Sequence, residues 1–374
     1  MKNLFAHTSS RVLRPMGLTA LAVAAAAAVA GGVLAGAGNA APATQFKAPT
    51  LEKGLLTVEG TNAADRIALG LQAGQPGILQ VDFGDDGSAE FSFDRTQIAE
   101  IVVEAGNGGD AVRIDESNGV FADTIPTTID GGNGNDRLVG GSGAGTLIGG
   151  NGDDTLFGGN GNETLLGGNG KDSIDGNRGN DVAFLGNGAD TFVWDPGDGS
   201  DTVEGQNGTD TMLFNGANVA ERIDMSANGY RLRFFRDAGN ITMDTDGVER
   251  VDFNALGGAD VVTVNDLTGT DVEEFNVDLA GSLGGATGDG AADDVIVNGT
   301  DGDDRIKVKG DHGDVKVSGL VPTVNVLHSE IANDRLDIKT LAGTDTVKSA
   351  GLAAGLIQLF VNGVLVSDKN KELK

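Results

Sequence analysis

From Gly131 the chain repeats itself every nine residues, and this period constrains its fold more tightly than any other feature. The first unit reads Gly131-Gly132-Asn133-Gly134-Asn135-Asp136-Arg137-Leu138-Val139. The third reads Gly149-Gly150-Asn151-Gly152-Asp153-Asp154-Thr155-Leu156-Phe157, and the fifth Gly167-Gly168-Asn169-Gly170-Lys171-Asp172-Ser173-Ile174-Asp175. Seven tandem units run to Val193. Glycine at positions 1, 2 and 4 admits backbone angles closed to residues with a Cβ, and asparagine at position 3 tolerates the left-handed region. Positions 1 to 6 therefore make a turn, and positions 7 to 9 a short strand. The eighth residue is apolar and faces inward: Leu138, Leu147, Leu156, Leu165, Ile174, Ala183 and Phe192. Two units close one coil of 18 residues. One unit cannot bury its apolar residue alone, so coils must stack through parallel strands around a thin core. The predicted fold is all-β: a parallel β-roll, or β-solenoid, of nonapeptide repeats with flanking β-rich degenerate repeats.

A glycine-rich turn can aim its carbonyls inward, and the sixth residue adds a carboxylate. Such an all-oxygen cage suits a hard cation such as Ca2+. The units fit G-G-x-G-x-D-x-U-x, and the stretch closely resembles the haemolysin-type (RTX) calcium-binding nonapeptide-repeat family. That resemblance implies the same parallel β-roll and bound calcium. The coil length sorts position 6 onto two edges. One edge carries Asp136, Asp154, Asp172 and Asp190 without a gap; the other carries Gly145, Glu163 and Asp181. One well-occupied row of calcium ions and one patchy row are expected. Gly176-Asn177-Arg178-Gly179 lacks the double glycine and places a cation at the turn, which weakens the patchy edge further. A calcium-free solenoid of the same spacing is the alternative, disfavoured because the full edge keeps every aspartate.

Trp194 and Asp195 interrupt the period, and the turns resume through Asp201 and Asp210. The candidate metal ligands are thus Asp136, Asp154, Asp172, Asp190, Asp181, Glu163, Asp201 and Asp210. Trp194 is expected to serve structure, capping or kinking the roll. Fainter copies stand at Gly60 to Ile67, Gly106 to Val112, Gly257 to Val262, Gly299 to Ile306 and Gly343 to Val347. Each alone reads equally well as an ordinary turn. Together they suggest β-rich structure over most of residues 50–366.

Composition excludes several classes. There are 61 glycines but only 7 prolines, so the chain is not collagen-like. A net charge of −29 argues against nucleic acid and anionic lipid as partners. Cysteine is absent, which removes disulfides, thiolate metal sites and a cysteine nucleophile.

The N-terminus carries Lys2, Arg11 and Arg14, then an alanine-rich apolar run, then small residues around Ala40. That order is a secretory signal peptide; an uncleaved anchor is the alternative, disfavoured by weak hydrophobicity. Near the C-terminus, Asn362-Gly363 between two apolar triplets reads as a hairpin turn rather than part of an anchor. The expected organisation is a signal peptide (1–40), an N-terminal β-rich region with degenerate repeats (41–130), the calcium-binding roll (131–216), a C-terminal β-rich region with degenerate repeats (217–366) and a charged tail (367–374). Stable membrane insertion is not expected.

No zinc-protease helix, nucleophile elbow, phosphate loop or dinucleotide fingerprint occurs in the sequence. Beyond His7 the histidines are His312 and His328, read as surface residues. The chain therefore reads as a secreted, non-enzymatic calcium-binding repeat protein that folds on calcium outside the cell. A structural or adhesion role fits, with a cell-surface or matrix glycan or protein as partner. The alternative is a calcium-dependent, polysaccharide-active β-helix enzyme, a lyase or epimerase; the scarcity of aromatic and basic clusters disfavours it.

Overall fold

The structure is a computed structural model and describes residues 46–311, 313–366 and the backbone of 372–373. The signal-peptide segment 1–40, His312 and most of the tail lie outside the described residues. Two sheets of 16 strands each carry the whole described chain, and its one helical element is the 3-10 turn Arg95–Gln97.

In the repeats the strands pair in parallel, one coil apart. Thr146–Asn151 lies against Thr164–Asn169 with Leu147 opposite Leu165, and Thr155–Gly159 lies against Ser173–Asn177 with Leu156 opposite Ile174. Strands of the first sheet run longer than the predicted triplet, because pairing continues into the glycines: Gly150 opposes Gly168 and Asn151 opposes Asn169. All seven predicted core positions are buried, at 1 % exposure or less. Stacking like residues on like residues gives a continuous ladder, and no coil closes its core without its neighbours.

Gly152 shows why the turns need glycine. Its φ is +126°, and a Cβ there would stand 2.0 Å from the carbonyl oxygen of Gly134 in the preceding coil. In the atypical turn Asn177 takes the left-handed angle at φ +58°, and Arg178 points to solvent. The turn thus keeps its path without the double glycine.

Trp194 is fully buried. It stacks on Phe214 with ring centroids 4.0 Å apart, and its indole N–H donates to the carbonyl of Gly199 at 2.8 Å. It sits inside the core rather than capping it. The two inserted residues lengthen the coil, so Asp181 links to Asp201 across 20 positions. Phe234 and Phe253 continue the aromatic core beyond Phe214.

Both sheets extend through the flanking segments. Leu55–Glu59 and Glu100–Glu104 pair in parallel on the N-terminal side, and Arg250–Asn254 with Glu274–Asp278 on the C-terminal side. Antiparallel excursions interrupt the coils: Arg222–Asn228, Arg231–Arg236 and Ile241–Asp246 form one meander within the first sheet. Gln358–Val361 and Val364–Leu365 form the predicted hairpin, with Asn362 and Gly363 both at positive φ. Among the described residues no helix is long and apolar enough to cross a membrane.

Candidate metal centre

The structure places the eight candidate ligands in two stacked rows. On the first edge each aspartate accepts a backbone N–H from the coil before it. The N–H of Asp136 donates to Oδ1 of Asp154 at 2.7 Å, that of Asp154 to Asp172 at 2.8 Å, and that of Asp172 to Asp190 at 2.8 Å. The N–H of Asp190 then donates to Oδ1 of Asp210 at 2.9 Å. On the second edge Glu163 donates to Asp181 at 2.7 Å and Asp181 to Asp201 at 2.8 Å.

These bonds use one oxygen of each aspartate. The other oxygen is buried without a donor at Asp136, Asp154, Asp172, Asp190, Asp210, Asp181 and Asp201, and so is Oε1 of Glu163. An unpaired buried carboxylate oxygen is costly, and eight stacked in register is a pattern rather than an accident. Glu163 differs as its longer side chain requires. Its Oε2 folds back to accept the N–H of Gly159 in its own turn at 3.0 Å, instead of reaching to the glycine at position 145.

In the turns of Asp136, Asp154 and Asp172 the first glycine clears the space beside the free oxygen. A Cβ on Gly131 would stand 2.5 Å from Oδ2 of Asp136 and 2.8 Å from the carbonyl oxygen of Gly149, one coil on. Gly149 repeats this with Asp154 and the carbonyl of Gly167, at 2.5 and 2.6 Å. Carboxylate and carbonyl oxygens thus converge beside these glycines. Among the described residues no three His, Cys, Asp or Glu side chains converge. A cation here would need backbone carbonyls as further partners, an all-oxygen set that suits a hard ion.

Electrostatics agree with the geometry. Burial pushes the carboxyl of Asp154 up to about 7, opposed by the Asp136 N–H and reinforced by the charges of Asp172 and Asp136. Burial raises Asp201 to about 8, with Asp181 and Asp198 adding repulsion, and Asp210 to about 7. Glu163 and Asp181 are both raised, again mainly by burial. Without a cation these groups hold their protons to higher pH than free carboxyls do.

The sequence reading missed part of the first row. Asp110 donates its N–H to Oδ1 of Asp136 at 2.7 Å, and its own Oδ2 is buried without a donor. The signal was the degenerate Gly106 to Val112 copy, obscured by a spacing of 26 to Asp136. Downstream, Glu221, Asp260, Asp293 and Asp334 form a similar N–H-to-carboxylate ladder. There Glu221 is neutralised by the buried guanidinium of Arg236, which also stands over Trp194. His328 is half-buried, with Nδ1 2.6 Å from Asp278 Oδ1.

A parallel roll with rows of unpaired buried carboxylates in its turns defines a cation-binding β-solenoid. The family model described as RTX calcium-binding nonapeptide repeat (4 copies) matches residues 130–162, 157–192 and 197–218. This part of the chain is an array of RTX repeats, and RTX repeats bind Ca2+. No curated protein matches the chain.

Proposed function

We propose that this chain is an extracellular calcium-binding protein whose roll, residues 131–216, completes its folding on Ca2+ after export through the N-terminal signal. Asp136, Asp154, Asp172, Asp190 and Asp210 hold ions along one edge, and Glu163, Asp181 and Asp201 along the other. Each contributes its free carboxylate oxygen beside a turn carbonyl. Bound calcium supplies the positive charge that this row of buried carboxylates lacks. The observation that carries the reading is the free, buried oxygen on every one of the eight residues.

The energetics make calcium decisive. Extracellular calcium sites have dissociation constants of about 0.1–1 mM. At about 1 mM calcium and a constant near 0.1 mM, one site contributes about 1.4 kcal/mol. Three such sites approach the total stability of a small domain, about 5 kcal/mol. The flanking segments 41–130 and 217–366 act as β-rich extensions of the roll. The repeat class is structural rather than catalytic, and the molecule serves a structural or adhesion role toward a surface or matrix glycan or protein.

Far-UV circular dichroism of the full chain during a calcium titration, with magnesium as control, tests this. A calcium-specific gain of β structure at sub-millimolar to millimolar levels is expected. Full β structure in chelator, unchanged by calcium, contradicts the proposal.

A further inference from the structure

We infer that the row of ion sites begins one coil before the recognisable repeats, at a calcium site built by residues 105–110 with Asp110 as its carboxylate. The inference rests on the calcium reading of the repeats and extends it to a segment outside the residues that the repeat family matches.

Asp110 is only 2 % exposed, and its Oδ2 has no hydrogen-bond donor. Its other oxygen accepts the N–H of Asp65 at 2.7 Å, and its N–H donates to Asp136 at 2.7 Å. Those are the two links that every aspartate inside the first row makes to its neighbours. The backbone around it is also that of a repeat turn. The N–H of Gly108 donates to the carbonyl of Asn133 at 2.7 Å, as the N–H of Gly134 does to Asn151 at 2.7 Å. Gly108 takes φ +141°, beside +126° at Gly134. The side-chain amide of Asn133 donates to Oδ1 of Asn107 at 2.8 Å, as that of Asn151 does to Asn133 at 2.9 Å.

The next carboxylate outward shows where the row stops. Both oxygens of Asp65 are occupied by Thr61, one by its N–H and the other by its hydroxyl. Asp65 therefore needs no ion, whereas Asp110 does. Ala105 stands where the repeats have their first glycine. Leu185 holds the same position before Asp190, whose free oxygen is buried all the same, so a side chain there does not pair the carboxylate; the change breaks the motif and hides the turn from a pattern search.

Native mass spectrometry of the full chain in calcium counts the ions. Asp110→Asn keeps the shape and an acceptor for the Asp65 N–H, and is expected to bind one ion fewer than wild type. Asp65→Asn is expected to bind the wild-type number. Should Asp110→Asn keep the full count while Asp154→Asn loses one, the row starts at Asp136 and the inference is overturned with the repeat reading intact. A wild-type chain that binds no calcium overturns both. If Asp110→Asn does not fold, hydrogen exchange of the wild-type chain decides: calcium-dependent protection of amides 106–112 supports the site, and unchanged protection overturns it.

Discussion

The backbone N–H of Asp136 donates to Oδ1 of Asp154 at 2.7 Å, while Oδ2 of the same carboxylate is buried with nothing to accept from. One side chain thus does two things. It ties its coil to the one before, and it presents a charge that the protein alone does not balance. Repeated along the edge, the arrangement gives coil stacking and the unpaired charge to the same residues, which is why the proposed function couples folding to calcium.

Asp154→Asn separates the two roles, since the amide keeps an acceptor for the Asp136 N–H but loses the charge. In about 1 mM calcium the variant is expected to lose roughly 1.4 kcal/mol of stability, the contribution of one site. In chelator it is expected to be no less stable than wild type, because a repelling buried charge has gone. Chemical denaturation in the two buffers checks both outcomes.

The pH dependence follows from the raised carboxyls, at about 6 for Asp172, about 7 for Asp154 and about 8 for Asp201. Each lies above its ordinary value near 4, so the cation-free fold holds more protons than the unfolded chain. Its stability is therefore highest at acid pH and is lost as pH rises from about 4 through 8. Calcium reverses the trend, since it must displace those protons. Between pH 8 and pH 6 affinity is expected to fall roughly tenfold for a site with a carboxyl near 7. Melts in chelator and calcium titrations at the two pH values read these opposite slopes.

Leu156 tests the core. It is fully buried and faces Leu138 and Ile174 in the adjacent coils. Leu156→Ala is expected to cost about 2–5 kcal/mol. Because coils stack only through their neighbours, the loss should appear as a higher calcium midpoint for folding, measured by circular dichroism.

Arg236 tests the built-in alternative to a metal. Its guanidinium bonds Glu221, and both are buried. Arg236→Met leaves Glu221 as an uncompensated buried charge, at an expected cost of about 3–5 kcal/mol. The double variant with Glu221→Gln should recover much of it. Urea denaturation in saturating calcium distinguishes the two, because calcium does not replace the guanidinium.

Legibility in the sequence followed coil length. Where coils hold 18 residues, the period alone located the turns, the inward-facing Leu138 to Phe192 and the carboxylates of both rows. The two-residue insertion at Trp194 was tolerable, and Asp201 and Asp210 were still found. Beyond the array the same links span 39, 33 and 41 residues, at Glu221–Asp260, Asp260–Asp293 and Asp293–Asp334. Antiparallel meanders lengthen the first and third of these coils and loops the second, with no constant period, so the ladder is visible only once the strands are paired. Asp110 was hidden for a related reason, a lengthened coil together with alanine in place of glycine. The Arg236–Glu221 ion pair was invisible, because Arg236 lies 15 positions from Glu221, at the end of the strand Arg231–Arg236.

The most direct test of calcium-coupled folding is the fluorescence of Trp194, the single tryptophan of the chain. It lies buried between the turns of Asp190 and Asp201, stacked on Phe214. Titrating calcium into the chelated full chain should shift its emission cooperatively to the blue at sub-millimolar to millimolar calcium, with no response to magnesium. A blue emission already complete in chelator, and unmoved by calcium, would contradict the account.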